Sequence, residues 1–387
     1  MRIARILTRL NLGGPARQAL AGDPELKARG HRVRVFAGEP EPGEGDLFET
    51  FRERGLDVVR VPGLRRGLSP ARDLGALRFL ARGLADFRPD VVHTHASKAG
   101  ALGRRAARGL ARARCVHTFH GHVLEGYFPP ALSHQLVLLE RRLARRTARV
   151  LAVSHATAED LLRLAIVPEE KLVVVPPGVD LEPLLALEGR SRALRGLVGA
   201  ADDDVLVGVV GRLAEVKRPA LAVDVFEMLA ARYPRMHLVF VGDGPERRRL
   251  ERRVAGGSDA VRARVHLVGA RADVPAVFAD LDVVLSTSRA EGAPVALIEA
   301  AGAARPVVAT PVGGVPEIVA HERTGWLGAG RDELAFGLAQ YLDDPALGKV
   351  AGARARVRVA RRHSAGALAE RLEDVYRVVV EELACAS

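Results

Sequence analysis

The stretch VLVGVVGRLAEVKRP, residues 205–219, contains the unit that decides the fold: an apolar strand, a glycine loop and the start of a helix. The valine-rich run is typical of a strand buried on both faces, and a proline suits the first turn of a helix. Similar runs recur along the chain with helical patterns between them, for example over 74–87 and 219–233. Strands that alternate with helices indicate parallel sheets, so we predict an α/β protein. The predicted strands are 2–7, 32–38, 57–62, 90–95, 114–120, 149–154, 205–211, 238–243, 265–269, 283–288 and 306–310.

The length of 387 residues exceeds what one hydrophobic core usually serves, so we expect two domains. The strands form two series, and each series begins with a strand that runs into a glycine loop. The periodicity breaks at PPGVDLEP, residues 176–183, where proline and glycine cluster. We therefore predict one domain over 1–180, a second over 181–362, and a C-terminal helix over 363–387 that packs back toward the first domain.

The excess positive charge lies in the first half of the chain. Residues 1–180 contain 30 Lys and Arg against 19 Asp and Glu, whereas residues 181–387 contain 28 of each. The segment 91–124 has no acidic residue and includes Lys98, Arg104 and Arg112. Such a basic half suits an anionic substrate, a lipid headgroup surface or nucleic acid, and it is equally typical of solvated arginines. Aromatic residues make up only 4% of the chain, which argues against the stacking platforms of a nucleic-acid binder.

Several features of the sequence favour a cytoplasmic protein. Arg5 and Arg9 interrupt the first apolar segment, which argues against a signal peptide, and no apolar run is long enough to span a bilayer. Cys115 and Cys385 form neither a disulfide framework nor a paired-cysteine zinc motif.

The stretch AEGAPVALIEA, residues 290–300, contains two glutamates on either side of a proline. Because Pro294 suits only the first turn of a helix, we expect Glu291 in a loop and Glu299 on the helix that follows. The N–H groups of residues 293, 295 and 296 would then point outward at the positive end of the helix dipole, which suits a phosphate. A carboxylate beside an anion site suits sugar hydroxyl groups; the alternative is a surface glutamate before an ordinary buried helix.

Two further loops follow predicted strands and offer groups for phosphate. Arg212 and Lys217 flank the loop after residue 210, so that a planar fork and a point charge can hold a diphosphate from two sides. In NLGGPARQ, residues 11–18, Gly13 and Gly14 permit a tight strand-to-helix turn with exposed N–H groups. The complete dinucleotide pattern is absent, so a nicotinamide cofactor is not indicated. Both glycine loops at 241–245 and 310–319 are open to two interpretations, a ligand contact or a turn alone.

The segment HTFHGH places His117, His120 and His122 at a predicted strand end. The three histidines, with Cys115 and Glu125 nearby, form either an active-site edge or a metal site. The spacing matches no paired-cysteine zinc site and no helical metal motif. We favour His120 as a hydrogen-bond donor to a sugar or phosphate oxygen.

Several of these motifs occur in an order that resembles a known family. They are GRLAEVK at 211–217, VGDGP at 241–245, Glu291 with Glu299, GGVPE at 313–317 and TGWL at 324–327. The chain resembles a retaining glycosyltransferase of the GT-B class, family 4, and the segments HTHASKAGALGRRAA and HTFHGHVLEGYF resemble a bacterial branch of it. The resemblance implies two Rossmann-like domains whose parallel sheets face each other across a cleft. The first would bind the acceptor and the second the nucleotide sugar. The sequence departs from the family at Asp23–Pro24, which interrupt what is usually one continuous first helix.

The resemblance also implies roles for single residues. Arg212 and Lys217 would bind the donor diphosphate, Glu291 the sugar hydroxyls and Glu299 the ribose, and His120 would lie near the donor sugar. The implied catalytic residues are Glu291, His120, Arg212 and Lys217. The implied donor-binding residues are Gly13, Gly14, Arg212, Lys217, Glu291, Gly292, Ala293, Pro294, Val295 and Glu299. The implied acceptor-binding residues are Asn11, Lys98 and His120. No resident cofactor and no metal are expected, because the cations and the helix N-terminus can neutralise the leaving diphosphate.

The expected reaction is transfer of a sugar, with retention, from a nucleoside-diphosphate sugar, best a UDP-sugar, to a lipid-linked or otherwise anionic acceptor in glycan synthesis. The segment 133–149 is predicted to be an amphipathic helix that begins at Ser133 and could bind the inner face of the membrane through its arginines. Its apolar face would be Leu136, Leu139 and Leu143. A glycosyltransferase of a soluble natural product is the alternative within this class. A sugar-nucleotide epimerase of the same fold and a nucleic-acid binder both rank well below a transferase.

Overall fold

The computed structural model describes residues 1–41, 45–110, 113–121 and 129–384. The chain forms two compact units, one of Met1–Val179 with His363–Ser387 and one of Asp180–Arg362. We call them the N-terminal and the C-terminal unit. Each is built around one parallel sheet, so the predicted α/β class is confirmed.

The N-terminal unit has a seven-stranded parallel sheet within the described residues, in the order β3-β2-β1-β4-β5-β6-β7. Its strands are β1 (Arg2–Leu7), β2 (Arg32–Ala37), β3 (Asp57–Arg60), β4 (Val91–His95), β5 (Arg114–Phe119), β6 (Arg149–Ala152) and β7 (Leu172–Val174). Its helices are α1 (Gly14–Ala28), α2 (Phe48–Glu53), α3 (Pro70–Phe87), α4 (Ser97–Ala106), α5 (Pro130–Ala144), α6 (His155–Arg163) and, from the end of the chain, α17 (Ala365–Ala384).

The C-terminal unit has a six-stranded parallel sheet in the order β10-β9-β8-β11-β12-β13. Its strands are β8 (Val205–Val210), β9 (Met236–Val241), β10 (Val265–Gly269), β11 (Val283–Ser286), β12 (Val307–Ala309) and β13 (Gly325–Leu327). Its helices are α7 (Glu182–Leu185), α8 (Ala193–Val198), α9 (Pro219–Leu229), α10 (Arg247–Ala255), α11 (Asp259–Arg264), α12 (Val274–Asp280), α13 (Val295–Gly302), α14 (Val315–Ile318), α15 (Arg331–Asp343) and α16 (Pro345–Arg362).

Every predicted strand is present to within two residues at each end, whereas β7 and β13 were not predicted. Helix α17 packs on α1 in the N-terminal unit, and its Leu372 and Tyr376 share a buried core with Leu26. Gly22 permits this approach, because a Cβ there would lie 3.0 Å from the Leu368 side chain.

The predicted interruption of the first helix at Asp23–Pro24 is wrong. Helix α1 continues through Pro24 to Ala28. The missing proline N–H costs one hydrogen bond within the helix. Burial on both sides of the proline holds the helix in place, since Leu26 packs in the core and the fully buried Asp23 pairs with Arg5 on β1.

The predicted start and apolar face of the helix after residue 129 are also corrected. Helix α5 begins at Pro130 with Pro129 as its N-cap, so Ser133 is not the N-cap. The buried face carries Val137, Leu143 and Ala144, while Leu139 is exposed and Leu136 is half-buried. None of the described helices has the length and apolar character that a membrane crossing needs.

Candidate active site

Two loops of the C-terminal unit, after β8 and after β11, are joined by hydrogen bonds at the carboxyl ends of these strands. Arg218 Nε donates to the Thr287 carbonyl at 2.7 Å, and Thr287 Oγ1 donates to the Lys217 carbonyl at 2.9 Å. The Arg289 N–H donates to the Val216 carbonyl at 2.7 Å. These bonds fix the backbone of both loops, and they place the loops where ligands bind in open parallel sheets.

The same two loops bring together Lys217 and Glu291, which lie 74 positions apart in sequence. The Lys217 ammonium forms an ion pair with Glu291 Oε1, and Ser288 Oγ donates to the same oxygen at 2.6 Å. The Glu291 side chain is 9% exposed and that of Lys217 is 34% exposed. The site therefore contains the Glu291 carboxylate, fixed by two hydrogen bonds, and the partly exposed Lys217 ammonium. The exposed Arg212 guanidinium has no partner among the described residues.

Helix α13 begins directly after this loop, with Pro294 as its N-cap and no side chain capping it. The N–H groups of Val295 and Ala296 find no acceptor among the described residues. The half-buried Gly292 and Ala293 precede them in the loop, and Glu299 follows on the buried face of the helix. As predicted, Glu291 lies in a loop and Glu299 on a helix that starts next to a proline.

Glycines in two further loops of this unit, after β9 and after β12, allow backbones to approach each other. Gly313 has a φ of 52°, and a Cβ there would lie 1.7 Å from the Glu291 carbonyl oxygen. A Cβ at Gly244 would lie 2.3 Å from the Leu213 carbonyl oxygen. Glycine is therefore required at both places by close packing on the loops that carry Glu291 and Arg212. Asp243 accepts a hydrogen bond from the Gly244 N–H at 2.7 Å.

In the N-terminal unit, the glycine loop after β1 contains a local hydrogen bond to the side chain of its asparagine. The Asn11 Oδ1 atom accepts a hydrogen bond from the Gly13 N–H at 3.2 Å, and α1 starts at Gly14. Lys98 forms an ion pair with Asp73 at 2.6 Å and also donates to the Gly67 carbonyl. Two of the three ammonium protons of Lys98 are thus used within the protein.

The two described histidines of HTFHGH, His117 and His120, have different partners. His117 points to the core, where its Nδ1 lies 2.8 Å from Thr94 Oγ1, whereas His120 Nε2 lies 2.8 Å from His95 Nδ1. His122 and Glu125 lie outside the described residues. Cys115 is a free thiol, and burial raises its pKa to about 11, so it stays protonated at neutral pH. Within the described ranges, no three His, Cys, Asp or Glu side chains are close enough to hold a metal ion.

A buried polar cluster that was not predicted from the sequence contacts His120. Arg5 on β1 pairs with Asp23 at 2.5 Å and reaches His93 at 3.2 Å and His95 at 2.9 Å. Tyr376 of α17 closes the cluster, with its hydroxyl 2.5 Å from His93 Nδ1. The signals that could have revealed it are an arginine in an otherwise apolar strand and two histidines at alternate positions of β4, which place them on one face.

Burial and charge set the protonation of this cluster. Burial lowers the pKa of Arg5, but Asp23 and Tyr376 together more than offset this effect, so the pKa is raised and the guanidinium stays charged. Burial, and after it the charge of Arg5, lowers the pKa of His93 well below its ordinary value and that of His120 to about 3. Burial also raises the pKa of Tyr376 to about 12. The histidines are therefore neutral at physiological pH.

Part of the basic stretch over 91–124 is not available to a partner. Arg104 is buried and donates to Glu140 of α5 at 2.6 Å, so its charge is neutralised inside the unit. Arg112 lies outside the described residues. The stretch is thus less basic at the surface than its composition indicates.

Comparison with known proteins agrees with this architecture. Residues 12–183 match the sequence model of Glycosyltransferase Family 4, and residues 204–344 match that of Glycosyl transferases group 1. The chain is 31% identical over 282 residues to the UDP-Gal:alpha-D-GlcNAc-diphosphoundecaprenol alpha-1,3-galactosyltransferase of Escherichia coli, covering 70% of this chain and 71% of that protein. It is 30% identical over 396 residues to the D-inositol 3-phosphate glycosyltransferase of Kineococcus radiotolerans, covering 93% of this chain and 89% of that protein.

Solved structures match the fold over nearly the whole chain. The HepE protein of Anabaena, crystallised with UDP and glucose, has a TM-score of 0.81 at 22% identity and covers 97% of this chain and 99% of its own. The sucrose-phosphate synthase of Thermosynechococcus elongatus has a TM-score of 0.80 at 22% identity and covers 100% of both chains. The two Rossmann-like parallel sheets are those of the GT-B fold. Two family models match the chain, and two relatives are at least 30% identical to it over most of its length. Because the fold agrees as well, the chain belongs to glycosyltransferase family 4, among its bacterial members, and is a glycosyltransferase.

Proposed function

We propose that this glycosyltransferase transfers a sugar from a UDP-sugar to the hydroxyl group of an acceptor that carries a phosphate, with retention of the anomeric configuration. The observation that carries the proposal is the grouping of Lys217, Glu291 and the open N-terminus of α13 in two joined loops. A cation and free N–H groups suit the diphosphate, and a carboxylate suits sugar hydroxyls. The Escherichia coli relative is named for UDP-Gal, which supports uridine as the base.

We assign the donor contacts as follows. Arg212 and Lys217 bind the diphosphate, Glu291 accepts hydrogen bonds from the sugar, and Glu299 accepts them from the ribose. The backbone of residues 292–295 lies along the donor between the two carboxylates. The glycine loop at Gly13 and Gly14 and the His120 side chain complete the donor contacts.

The proposed step needs no metal and no covalent enzyme intermediate. The bond from the anomeric carbon to the phosphate oxygen breaks, and the acceptor oxygen bonds to the same face of that carbon. The acceptor proton passes to the departing phosphate oxygen. Arg212, Lys217 and the dipole of α13 stabilise the negative charge that develops on the diphosphate.

The acceptor proposal rests on the relatives and on charge. Both relatives described above are named for phosphate-bearing acceptors, a lipid-linked sugar diphosphate and inositol 3-phosphate. The N-terminal half of this chain carries the whole excess positive charge. Asn11, Lys98 and His120 are the acceptor residues we propose, although Lys98 has only one ammonium proton left for an acceptor.

The donor site is tested by measuring hydrolysis and binding with a panel of UDP-, GDP- and ADP-sugars. We expect the highest turnover with a UDP-sugar. Glu291→Gln should lower turnover while leaving the affinity for free UDP within about twofold, because the sugar is absent from free UDP. Glu299→Gln should lower the affinity for free UDP by about tenfold, which corresponds to the loss of one hydrogen bond to a charged group. Equal effects of the two variants on UDP affinity would contradict the division of roles.

We further propose that the enzyme works in the cytoplasm and binds the inner face of the membrane through the outer face of α5. This face carries the exposed Leu132, Leu138 and Leu139 together with exposed arginines. Leucines that enter the headgroup region beside arginines are typical of interfacial helices. The exposed arginines are Arg142 on the helix and Arg145 and Arg146, which directly follow its last residue.

Sedimentation with vesicles at low salt tests this second proposal. The protein should pellet with vesicles that contain anionic lipid and not with neutral ones. Replacing Arg142, Arg145 and Arg146 by serine should weaken binding by roughly a hundredfold, at about 1 kcal/mol for each arginine, and leave donor hydrolysis unchanged. The matched control replaces three exposed arginines of the C-terminal unit, Arg248, Arg252 and Arg354. Equal pelleting with neutral vesicles would exclude the electrostatic part of the proposal.

A further inference from the structure

A continuous chain of hydrogen bonds leads from the buried guanidinium of Arg5 to His120. Arg5 Nη1 lies 2.9 Å from His95 Nε2, and His95 Nδ1 lies 2.8 Å from His120 Nε2. Arg5 and His95 are both buried. The other ring nitrogen of His120, Nδ1, is itself buried and has no hydrogen-bond partner among the described residues. This series of hydrogen bonds therefore ends at His120 Nδ1, which bonds to no group among the described residues.

Because Arg5 can only donate, it fixes the direction of both hydrogen bonds, from Arg5 to His95 and from His95 to His120. Arginine has five N–H donors and no acceptor, so His95 Nε2 must accept. A neutral His95 then carries its proton on Nδ1 and donates it to His120 Nε2. His120 Nε2 must therefore accept, and a neutral His120 carries its proton on Nδ1. A doubly protonated His120 would bring two N–H groups face to face, so the same bond disfavours the cation.

A second branch of the network fixes His93 independently. Arg5 Nη1 also lies 3.2 Å from His93 Nδ1, and the Tyr376 hydroxyl lies 2.5 Å from the same nitrogen. His93 Nε2, 2.7 Å from Thr118 Oγ1, is then the protonated nitrogen and donates to the threonine. Arg5 thus cannot turn away from His95 without giving up Asp23 and His93, and the orientation of the network does not reverse.

The backbone next to His95 also holds a conformation that is costly on its own. Ala96 has φ 57° and ψ 174°, a region that L-residues with a Cβ rarely adopt. Its position between the last residue of β4 and the first residue of α4 turns the chain immediately after His95. Such strain persists only where the surrounding structure determines the geometry, and here it accompanies a fixed histidine ring.

We propose that Arg5 and His95 are positioning residues that hold His120 as the Nδ1–H tautomer, so that His120 presents a fixed N–H donor to an oxygen of the sugar being transferred. This inference rests on the proposed function and adds to it the tautomer of His120 and the two residues that set it. A fixed donor aimed at a substrate oxygen costs no reorganisation during the reaction, which is how such donors contribute to rate.

The tautomer is measured directly, without substrate, by nitrogen NMR of the full chain labelled with ¹⁵N-histidine. The His120 signals are assigned from their loss in His120→Asn. We expect the wild type to carry the His120 proton on Nδ1. The proton on Nε2 in the wild type would overturn the proposal whatever the variants do.

Two variants at His95, Asn and Asp, which are nearly isosteric with each other, test whether His95 donates the hydrogen bond to His120. The amide of His95→Asn can still donate near the position of Nδ1, so His120 should keep its proton on Nδ1. The carboxylate of His95→Asp can only accept, so the His120 proton should move to Nε2. The same His120 tautomer in both variants would show that His95 does not set it. Kinetically, His95→Asp should lower kcat by about a hundredfold and His95→Asn by about tenfold, with the KM for the donor changed little.

Variants of His120 itself separate this inference from the proposed function. Asparagine can place an N–H near the position of Nδ1 and glutamine near that of Nε2. His120→Asn should therefore retain about tenfold more activity than His120→Gln. Equal loss in the two variants would overturn the role of the Nδ1–H donor. If no sugar nucleotide were turned over by the wild type, the proposed function would fail, while the NMR result would still decide the tautomer.

Discussion

Replacing Lys217 by alanine is expected to lower turnover of the sugar nucleotide by roughly a hundredfold to a thousandfold, the range found when one preorganised donor to a developing anion is removed. The reason is that the Lys217 ammonium is held beside Glu291 and is still one-third exposed, so it can also face the diphosphate. Stability should change by less than about 1 kcal/mol, because a partly exposed ion pair contributes little. Steady-state turnover and thermal unfolding measure the two effects.

The control for this prediction is Lys349→Ala, which removes an exposed lysine from α16 of the same unit and should leave turnover unchanged.

Arg212→Ala should weaken the binding of free UDP by about thirtyfold, since a charge-assisted contact contributes about 2 kcal/mol. Unchanged turnover in Lys217→Ala together with unchanged UDP affinity in Arg212→Ala would reject the diphosphate assignment.

The strands of this fold were predictable because buried parallel strands form continuous apolar runs. The two exceptions, β7 and β13, are three residues long and lie at the edges of their sheets. β7 is only half-buried, and β13 begins with Gly325. Such short edge strands are defined by pairing with a neighbour, as when Gly325 to Leu327 pair with β12, and local sequence carries little information on that pairing.

Local signals mislead where tertiary contacts are stronger. Pro24 predicts an interruption of the first helix, yet α1 continues because Asp23 and Leu26 are buried on either side of it. The helical spacing of Leu136, Leu139 and Leu143 likewise predicts that these leucines form the apolar face. The helix instead turns Val137 inward and leaves Leu139 in solvent. In both helices the outcome depends on what packs against the helix, which its own sequence does not contain.

The candidate donor site was largely predictable, because its residues lie in loops at strand ends and next to a proline. What the sequence left open was the role of each glycine. Gly313 is explained by its φ of 52° and by the Glu291 carbonyl oxygen, which lies 1.7 Å from the place of its missing Cβ and comes from a loop 22 positions away. The cluster around Arg5 was not predictable as a unit, because Asp23, His93 and Tyr376 meet from three distant parts of the chain.

Replacing Arg5 by methionine is expected to lower the free energy of unfolding of the N-terminal unit by about 3–5 kcal/mol, the typical cost of breaking a buried ion pair from one side. Asp23 would remain fully buried without its partner, and the histidines and Tyr376 would lose their common donor. The only tryptophan of the chain, Trp326, lies in the C-terminal unit. Circular dichroism in denaturant should therefore show an earlier transition, while the Trp326 fluorescence transition moves much less.

The double variant Arg5→Met with Asp23→Leu separates the charge from the packing. It removes both buried charges and replaces them with apolar side chains, a change that is often neutral for buried pairs. We expect it to recover at least half of the stability lost in Arg5→Met. Because His95 would still lack the donor that orients it, activity should stay low even where stability returns. A single variant as stable as the wild type would show that Arg5 and Asp23 are not held as a charged pair. Recovery of activity together with stability in the double variant would separate Arg5 from the orientation of His120.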